Sequence, residues 1–221
     1  MKLKEILSLS KKRDKIYTFE KQLTSDKIQL ISTIPENKNF ILYISSSDFK
    51  YYYKTPLYPL YLFEKNGNVF WCAFCEKNSL EYKVEFIKQI QKFLLNLNYS
   101  KINIAMLCAV EKVNPAMKAT LDAAILTRMS ELNQFPKCVI EGPLAVDNAV
   151  SREAAKIKGL ESKISGEVDV YFPPEIESSI ILRDILIYYK YNYCAFFVGE
   201  KFPVLLKEGN IELGIEILRR I

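Results

Sequence analysis

The chain contains no histidine. That absence removes every Ser-His-Asp or Cys-His couple and every zinc or iron site that depends on imidazole. Glycine is scarce, seven in 221 residues, and none falls in a G-x-G-x-x-G pattern, so a dinucleotide-binding turn of that kind is not expected. No apolar run is long enough to span a bilayer. The first residues, MKLKEILSLSKKRDK, place lysines on both sides of a short apolar stretch, with no hydrophobic signal core and no small-residue cleavage site. They read as an amphipathic helix, Lys2 to Leu9, opening a cytoplasmic protein that does not enter a membrane. The five cysteines, an odd number without export signals, read as free thiols in a reducing compartment. Cys72 and Cys75 form C-x-x-C, but no second pair and no helix start accompany them. Phe70, Trp71 and Phe74 surround them, so the stretch reads as a buried strand.

What is present supports a folded core. Hydrophobic residues make up 49% and charged residues 26%, enough for one large domain or two small ones and too apolar for disorder. The net charge is +5. KKRDK at Lys11 to Lys15 is dense, but elsewhere lysine and glutamate alternate as on solvated helix faces. A nucleic-acid binder would gather its charge in a stripe or carry a motif, and no nucleic-acid partner is expected.

Along the chain, KIYTFE, KIQLIST and FILYISS read as strands, with a turn at Pro35 to Asn39. The aromatic segment Tyr51 to Phe63, with two prolines, reads as an extended edge. Asn66-Gly67 predicts a hairpin loop, because both residues accept positive φ. From Ser79 onward the pattern alternates. LEYKVEFIKQIQKFLLNLN carries Val84, Ile87, Ile90, Leu94 and Leu97 at helical spacing behind a Ser79 N-cap. A strand follows at KINIAMLCAV, a helix at Ala119 to Leu132 and a strand at KCVIEG, where Gly142-Pro143 reads as the stop. NAVSREAAKIKG then reads as one helix ended by Gly159, VDVYFPP as a strand and IESSIILRDILIYY as a helix. CAFFVG reads as a strand, with GEKFPVLLKEGN as the loop after it, and IELGIEILRRI as the last helix. Strands separated by helices imply crossover units and a mainly parallel sheet with helices on both faces. The expected division is a strand-rich part at 1–78 and an α/β part at 79–221.

Four loops follow strand carboxyl ends in this reading, near Asn114, Asp147, Ser179 and Lys207. They are expected on one edge of the sheet, where helix N-termini offer free N–H groups to anions. Here the motifs AVEKVNPAMKATLDAA, EGPLAVDNAVSREAAKIKG, GEVDVYFPPEIESSIILRD and VGEKFPVLL resemble the phosphate acetyltransferase and phosphate butyryltransferase family, the butyryl branch more closely. The resemblance runs from about Ser79 to the end and more weakly back to Leu57. It implies a two-domain α/β fold like that of isocitrate and isopropylmalate dehydrogenases, a homodimer, and the reaction of acyl-CoA with phosphate to give acyl phosphate and CoA. Coenzyme A enters as substrate; no metal and no further cofactor is implied. The catalytic candidates carried over are Asp147, Asn114 and Lys207. Pro115, Gly142, Pro143, Asn148 and Ser179 are the candidates for holding substrate or phosphate. From residue chemistry alone, Asp147-Asn148 also reads as a helix cap and Gly142-Pro143 as a turn.

The chain also departs from the family pattern. Lys207-Glu208 stands where relatives carry Ser-Arg, Ser179-Ile180 where they carry Gly-Asn, and CAFCEKNS where they carry an Asp-Ala-x-x-Asn segment. Ile157 replaces a family histidine. The family's Lys-Gly loop is not found among residues 1 to 56, so the N-terminal part reads as truncated. Lysine for arginine keeps the charge but loses the two-pronged geometry. Two readings stay open: an active phosphate acyltransferase, and a relative without catalysis that binds CoA esters or pairs with a full-length homologue.

Overall fold

A computed structural model describes residues 2–9, 15–18, 28–30, 40–44, 56–199 and 203–221. The expected turn at 35–39, most of the basic cluster at 11–15 and the first five residues of the aromatic segment lie outside them. The strands are β1 (Lys15–Thr18), β2 (Ile28–Leu30), β3 (Phe40–Ile44), β4 (Leu57–Lys65), β5 (Asn68–Ala73), β6 (Ile102–Leu107), β7 (Cys138–Leu144), β8 (Val170–Phe172), β9 (Asn192–Gly199) and β10 (Val204–Gly209). The helices are α1 (Leu3–Leu7), α2 (Leu80–Asn96), α3 (Lys118–Glu131), α4 (Val146–Val150), α5 (Arg152–Ile157), α6 (Ile176–Tyr188) and α7 (Ile211–Leu218).

All ten strands join one sheet in the order β2-β1-β3-β10-β9-β4-β5-β8-β6-β7. Six neighbouring pairs are parallel and three, around β4 and β9, are antiparallel. The fold is therefore α/β with a mostly parallel sheet. Strands from both sides of residue 78 pair within it, β4 with β9 and β5 with β8.

Period-two alternation sorts the side chains between the two faces. Tyr58, Leu60, Leu62, Trp71, Ala73, Cys194 and Phe196 face the larger core, against α1, α2, α3 and α7. Tyr61, Phe63, Cys72 and Ala195 face the other way, under Leu182, Leu186 and Ile187 of α6. Trp71 anchors the larger core. It is fully buried, packs edge-on against Phe93 at 5.3 Å, and donates its indole N–H to the Tyr99 hydroxyl at 3.0 Å.

The Asn66-Gly67 loop closes β4 on β5 with φ of 55° and 78°, the positive pair that this turn demands. Ser79 caps α2 by accepting the Tyr82 N–H at 3.2 Å. Four expectations need correction. The aromatic segment is not an edge: β4 lies between β5 and β9. Pro59 is accommodated because pairing with β5 begins only at Leu60, so no donor is needed there on that side. VLLKEG is not loop but strand β10, paired to both β3 and β9. The helix expected over NAVSREAAKIKG is two, because Ser151 adopts extended backbone, ends α4 and caps α5 through the Ala154 N–H at 3.1 Å. Finally, Gly142-Pro143 does not stop β7 but lies inside it as a cis pair. The β6–β7 register slips there by one residue, a β-bulge. A Cβ on Gly142 would stand 2.6 Å from Met106 Cβ, so only glycine allows the approach.

Candidate functional site

Strand directions place five carboxyl ends on one rim. β5, β8, β6 and β7 run parallel to one another, and β9 runs with β5 because both oppose β4. The adjacent strands β5, β8 and β6 lead into the N-termini of α2, α6 and α3, so three helices of 17, 13 and 14 residues begin side by side.

Asn114 and Pro115 lie exposed in the loop from β6 to α3. The Asn114 side-chain oxygen accepts the Ala116 N–H at 2.9 Å, and its backbone is tied to Thr120 and Met117. The loop is thus braced on the first turn of α3. Asp147 lies on α4, where its carboxylate meets the Lys158 ammonium at 2.9 Å and accepts the Asn148 N–H at 2.9 Å. Hydrogen bonding to Lys158 holds its carboxyl below the usual carboxylate range. Asp147 is not the helix cap, since Ala145 occupies that position. Lys158 also faces Glu111 at 3.7 Å, which joins the loops after β6 and β7. Asn148 is fully buried, and neither its side-chain oxygen nor its nitrogen has a partner among the described residues.

Ser179 is fully buried in the first turn of α6. It accepts the Cys75 N–H at 3.1 Å, and its hydroxyl lies 2.9 Å from the Glu175 carbonyl. It pins α6 to the segment that follows β5. Gly142 and Pro143 approach the rim from within β7, and Thr127 donates to the Gly142 carbonyl at 3.0 Å.

Lys207 is placed elsewhere. β10 runs back from the rim, with Val204 opposite Phe197 and Gly209 opposite Cys194. Four strand spacings separate β10 from β8, a lateral distance of about 19 Å in a flat sheet. The neighbouring Glu208 receives the Tyr61 hydroxyl at 3.1 Å. Burial and the Glu208 charge push that phenol above its ordinary range.

Two features of the rim were not anticipated. The first is a cavity of about 320 Å³, apolar through Leu107, Met117, Ala119, Val146, Ile181 and Ile185, with Cys108, Glu175 and Ser178 at its polar edge. It opens where β6 and β8 end. The second is a charged cluster between α2 and α3. Lys83, fully buried, stands 2.5 Å from Asp122, which is itself buried, and 3.3 Å from the Asn78 carbonyl. Lys118 reaches both Asp122 oxygens, at 2.7 and 2.6 Å, while keeping its own side chain 54% exposed. The sequence does carry a signal for this cluster. Lys83 falls on the apolar stripe of α2, one turn before Ile87, where a charge needs a partner. The thiol beside the cluster, Cys108, is pushed up to about 12, chiefly by burial. Among the described residues no group of side chains could hold a metal ion, and no helix is long and apolar enough to cross a membrane.

Residues 55–190 match the model of the phosphate acetyl/butaryl transferase family. The phosphate acetyltransferase of Thermotoga maritima is 37% identical over 129 residues, 58% of this chain and 44% of that protein. A probable phosphate butyryltransferase of Bacillus subtilis is 44% identical over 103 residues, 46% of this chain and 34% of that one. The chain thus matches less than half the length of the curated relatives it resembles. Among solved structures, a branched-chain phosphotransacylase from Enterococcus faecalis superposes with a TM-score of 0.75 at 20% identity. That match covers 99% of this chain and 92% of the other. A phosphotransacetylase from Staphylococcus aureus gives 0.69 at 14% identity, covering 100% and 99%. At these identities the structural likeness concerns the fold.

Proposed function

The chain belongs to the phosphate acetyl/butaryl transferase family, and from that premise we propose that it transfers a short acyl group between coenzyme A and inorganic phosphate at the β5–β8–β6 rim. A phosphate oxygen attacks the thioester carbon, the C–O bond forms, and the C–S bond breaks. The sulfur departs as thiolate and takes up a proton. Charge develops on the carbonyl oxygen and on sulfur, so fixed donors near both are what the reaction needs. The Asn114 loop, braced on the first turn of α3, brings a side-chain amide and helix N–H groups to that rim. Nothing in this sequence of bonds requires histidine or a metal.

The observation that carries the reading is the apolar cavity at the rim. An acetyl group has no use for it, whereas a four- or five-carbon chain does. At about 0.8 kcal/mol per buried methylene, each added carbon gains roughly fourfold and the step from acetyl to butyryl roughly fifteenfold. The finer proposal is therefore a butyryl-class enzyme. Incubating the protein with butyryl-CoA and phosphate and following free thiol tests it. No release above a boiled control refutes the activity, and equal kcat/KM for acetyl-CoA and butyryl-CoA refutes the chain-length reading.

A second reading has its own support. Lys207-Glu208 lies off the rim, with Glu208 engaged by Tyr61, and among the described residues the buried Asn148 side chain has no partner. A family member that binds CoA esters without turning them over would fit both. A rise in melting temperature with CoA, without thiol release, would select it. Either form is proposed as a cytoplasmic homodimer, supported by the exposed Ile181, Ile185, Tyr188 and Tyr189 on and just after α6. Sedimentation at a single-copy mass would refute the dimer.

A further inference from the structure

We infer that Lys118 receives the phosphate co-substrate, with Asp122 and Lys83 as positioning residues behind it. The inference rests on the acyl-transfer reading above and adds the group that holds the attacking anion.

Two clusters at the rim carry lysine beside carboxylate, and they differ in sign. Lys158 faces two carboxylates, Asp147 and Glu111, so one positive and two negative charges leave that cluster at −1. Asp122 faces two lysines, Lys83 and Lys118, so two positive and one negative charge leave this one at +1. Phosphate is drawn to the second and repelled by the first.

Burial decides which lysine meets the ligand. The Lys83 side chain is 1% exposed and that of Asp122 5%, so these two neutralise each other away from water. Attraction between such groups is stronger than at the surface, but both lose hydration. A family of apolar side chains would fill the space at comparable stability, so the pair has to be explained by what it holds. It holds Lys118. Two of the three ammonium protons of Lys118 point at the Asp122 oxygens. The third is left for solvent or a ligand, on a side chain that is 54% exposed. An ammonium is otherwise a mobile point charge on a flexible stem, and the bidentate hold on Asp122 fixes its position.

Lys118 opens α3 between Met117 and Ala119, both of which line the apolar cavity. It follows the Asn114 loop, whose carbonyl accepts the Met117 N–H at 2.9 Å. Lys118 itself is not one of the lining residues, but the two residues that flank it are, so an anion on Lys118 is held on the same helix turn as the space offered to the acyl chain. Glu175, at the polar edge of the same cavity, sets a negative limit on where that anion can sit.

Lys118→Met tests the inference. Removing one charge-assisted hydrogen bond should raise KM for phosphate roughly tenfold or more, with KM for butyryl-CoA unchanged within about twofold. Lys118→Arg keeps the charge and should stay nearer wild type. Asp122→Asn should raise the phosphate KM in the same selective way, which a merely structural role would not do. An unchanged phosphate KM in Lys118→Met, or a rise confined to butyryl-CoA, overturns the inference. A second readout needs no turnover. Melting temperatures are measured in chloride, inorganic phosphate and adenosine 3′,5′-bisphosphate at constant ionic strength. Phosphate should stabilise wild type and not Lys118→Met. Equal stabilisation of both proteins, no stabilisation of either, or Lys118-dependent stabilisation by the bisphosphate alone overturns the inference. Lys118-dependent phosphate binding without thiol release would sink the reaction while leaving the site. Turnover with a phosphate KM indifferent to Lys118 would do the opposite.

Discussion

Removing one member of the Lys83–Asp122–Lys118 cluster should destabilise the protein by an amount that depends on which member is lost. Asp122→Ala strips the counter-charge from both lysines. Lys118 can turn to water, because half its side chain already meets it. Lys83 cannot: it is fully buried and, among the described residues, keeps only the Asn78 carbonyl at 3.3 Å. Leaving such a charge uncompensated costs about 3–5 kcal/mol. Lys83→Met removes the opposite sign from the same pair. Asp122 then retains two bonds from Lys118, at 2.7 and 2.6 Å, and the methionine stem fills most of the vacated volume. That loss should stay below about 2 kcal/mol, within the range for ordinary point changes. The double variant Lys83→Met with Asp122→Leu should recover much of the deficit, as apolar replacement of buried pairs does. Urea unfolding followed by circular dichroism gives each value, provided that the slope with denaturant is unchanged. In thermal melts, at about 2–4 °C per kcal/mol for a chain of this size, Asp122→Ala should lose roughly 6–20 °C. If Lys83→Met costs as much as Asp122→Ala, Lys118 does not sustain Asp122, and the account of this cluster fails.

Gly142→Ala should be poorly tolerated, because its Cβ would stand 2.6 and 2.8 Å from Met106 Cβ and carbonyl oxygen. Overpacking of this kind costs about 1–3 kcal/mol, and an unchanged urea midpoint would refute the tight approach. Ser79→Ala should cost about 1 kcal/mol through loss of the α2 cap, while Ser79→Asp should not. Burial pushes Cys72 and Cys138 up to about 12 and Cys75 up to about 11, from an ordinary 9.0. In the unfolded chain these thiols ionise earlier, so the folded state binds more protons between those values. Stability should therefore fall as pH rises from about 9 toward 12, and Cys72→Ala should flatten that decline. The same burial predicts slow alkylation of the native protein by iodoacetamide and full labelling of all five cysteines in denaturant.

Much of the fold was legible because it rests on local rules. Ser79 as a cap, Asn66-Gly67 as a hairpin and Gly159 as a helix terminator each follow from what one or two residues can adopt. The α2 stripe and the apolar runs of β6 and β8 follow from periodicity. The misreadings share a cause. Gly142-Pro143 looks like a stop, yet a neighbouring strand absorbs it as a bulge. VLLKEG looks like loop, yet β3 and β9 lie ready to pair with it from far along the chain. Pro59 looks like an edge residue, yet its missing donor is not required on the β5 side. In each case a tertiary partner overrules the local preference.

The candidate site divides in the same way. The motifs that identified the family, and with it the Asn114 and Asp147 loops, are sequence properties, because a run of residue types along the chain is enough to recognise them. The absence of histidine likewise fixed what the chemistry must do without. The folded chain alone decided that Asp122 neutralises a lysine 39 residues away, that a cavity opens where β6 and β8 end, and that Lys207 stands several strands from both. Charge compensation and enclosed volume exist only between residues that the fold has brought together, and no spacing along the chain records either.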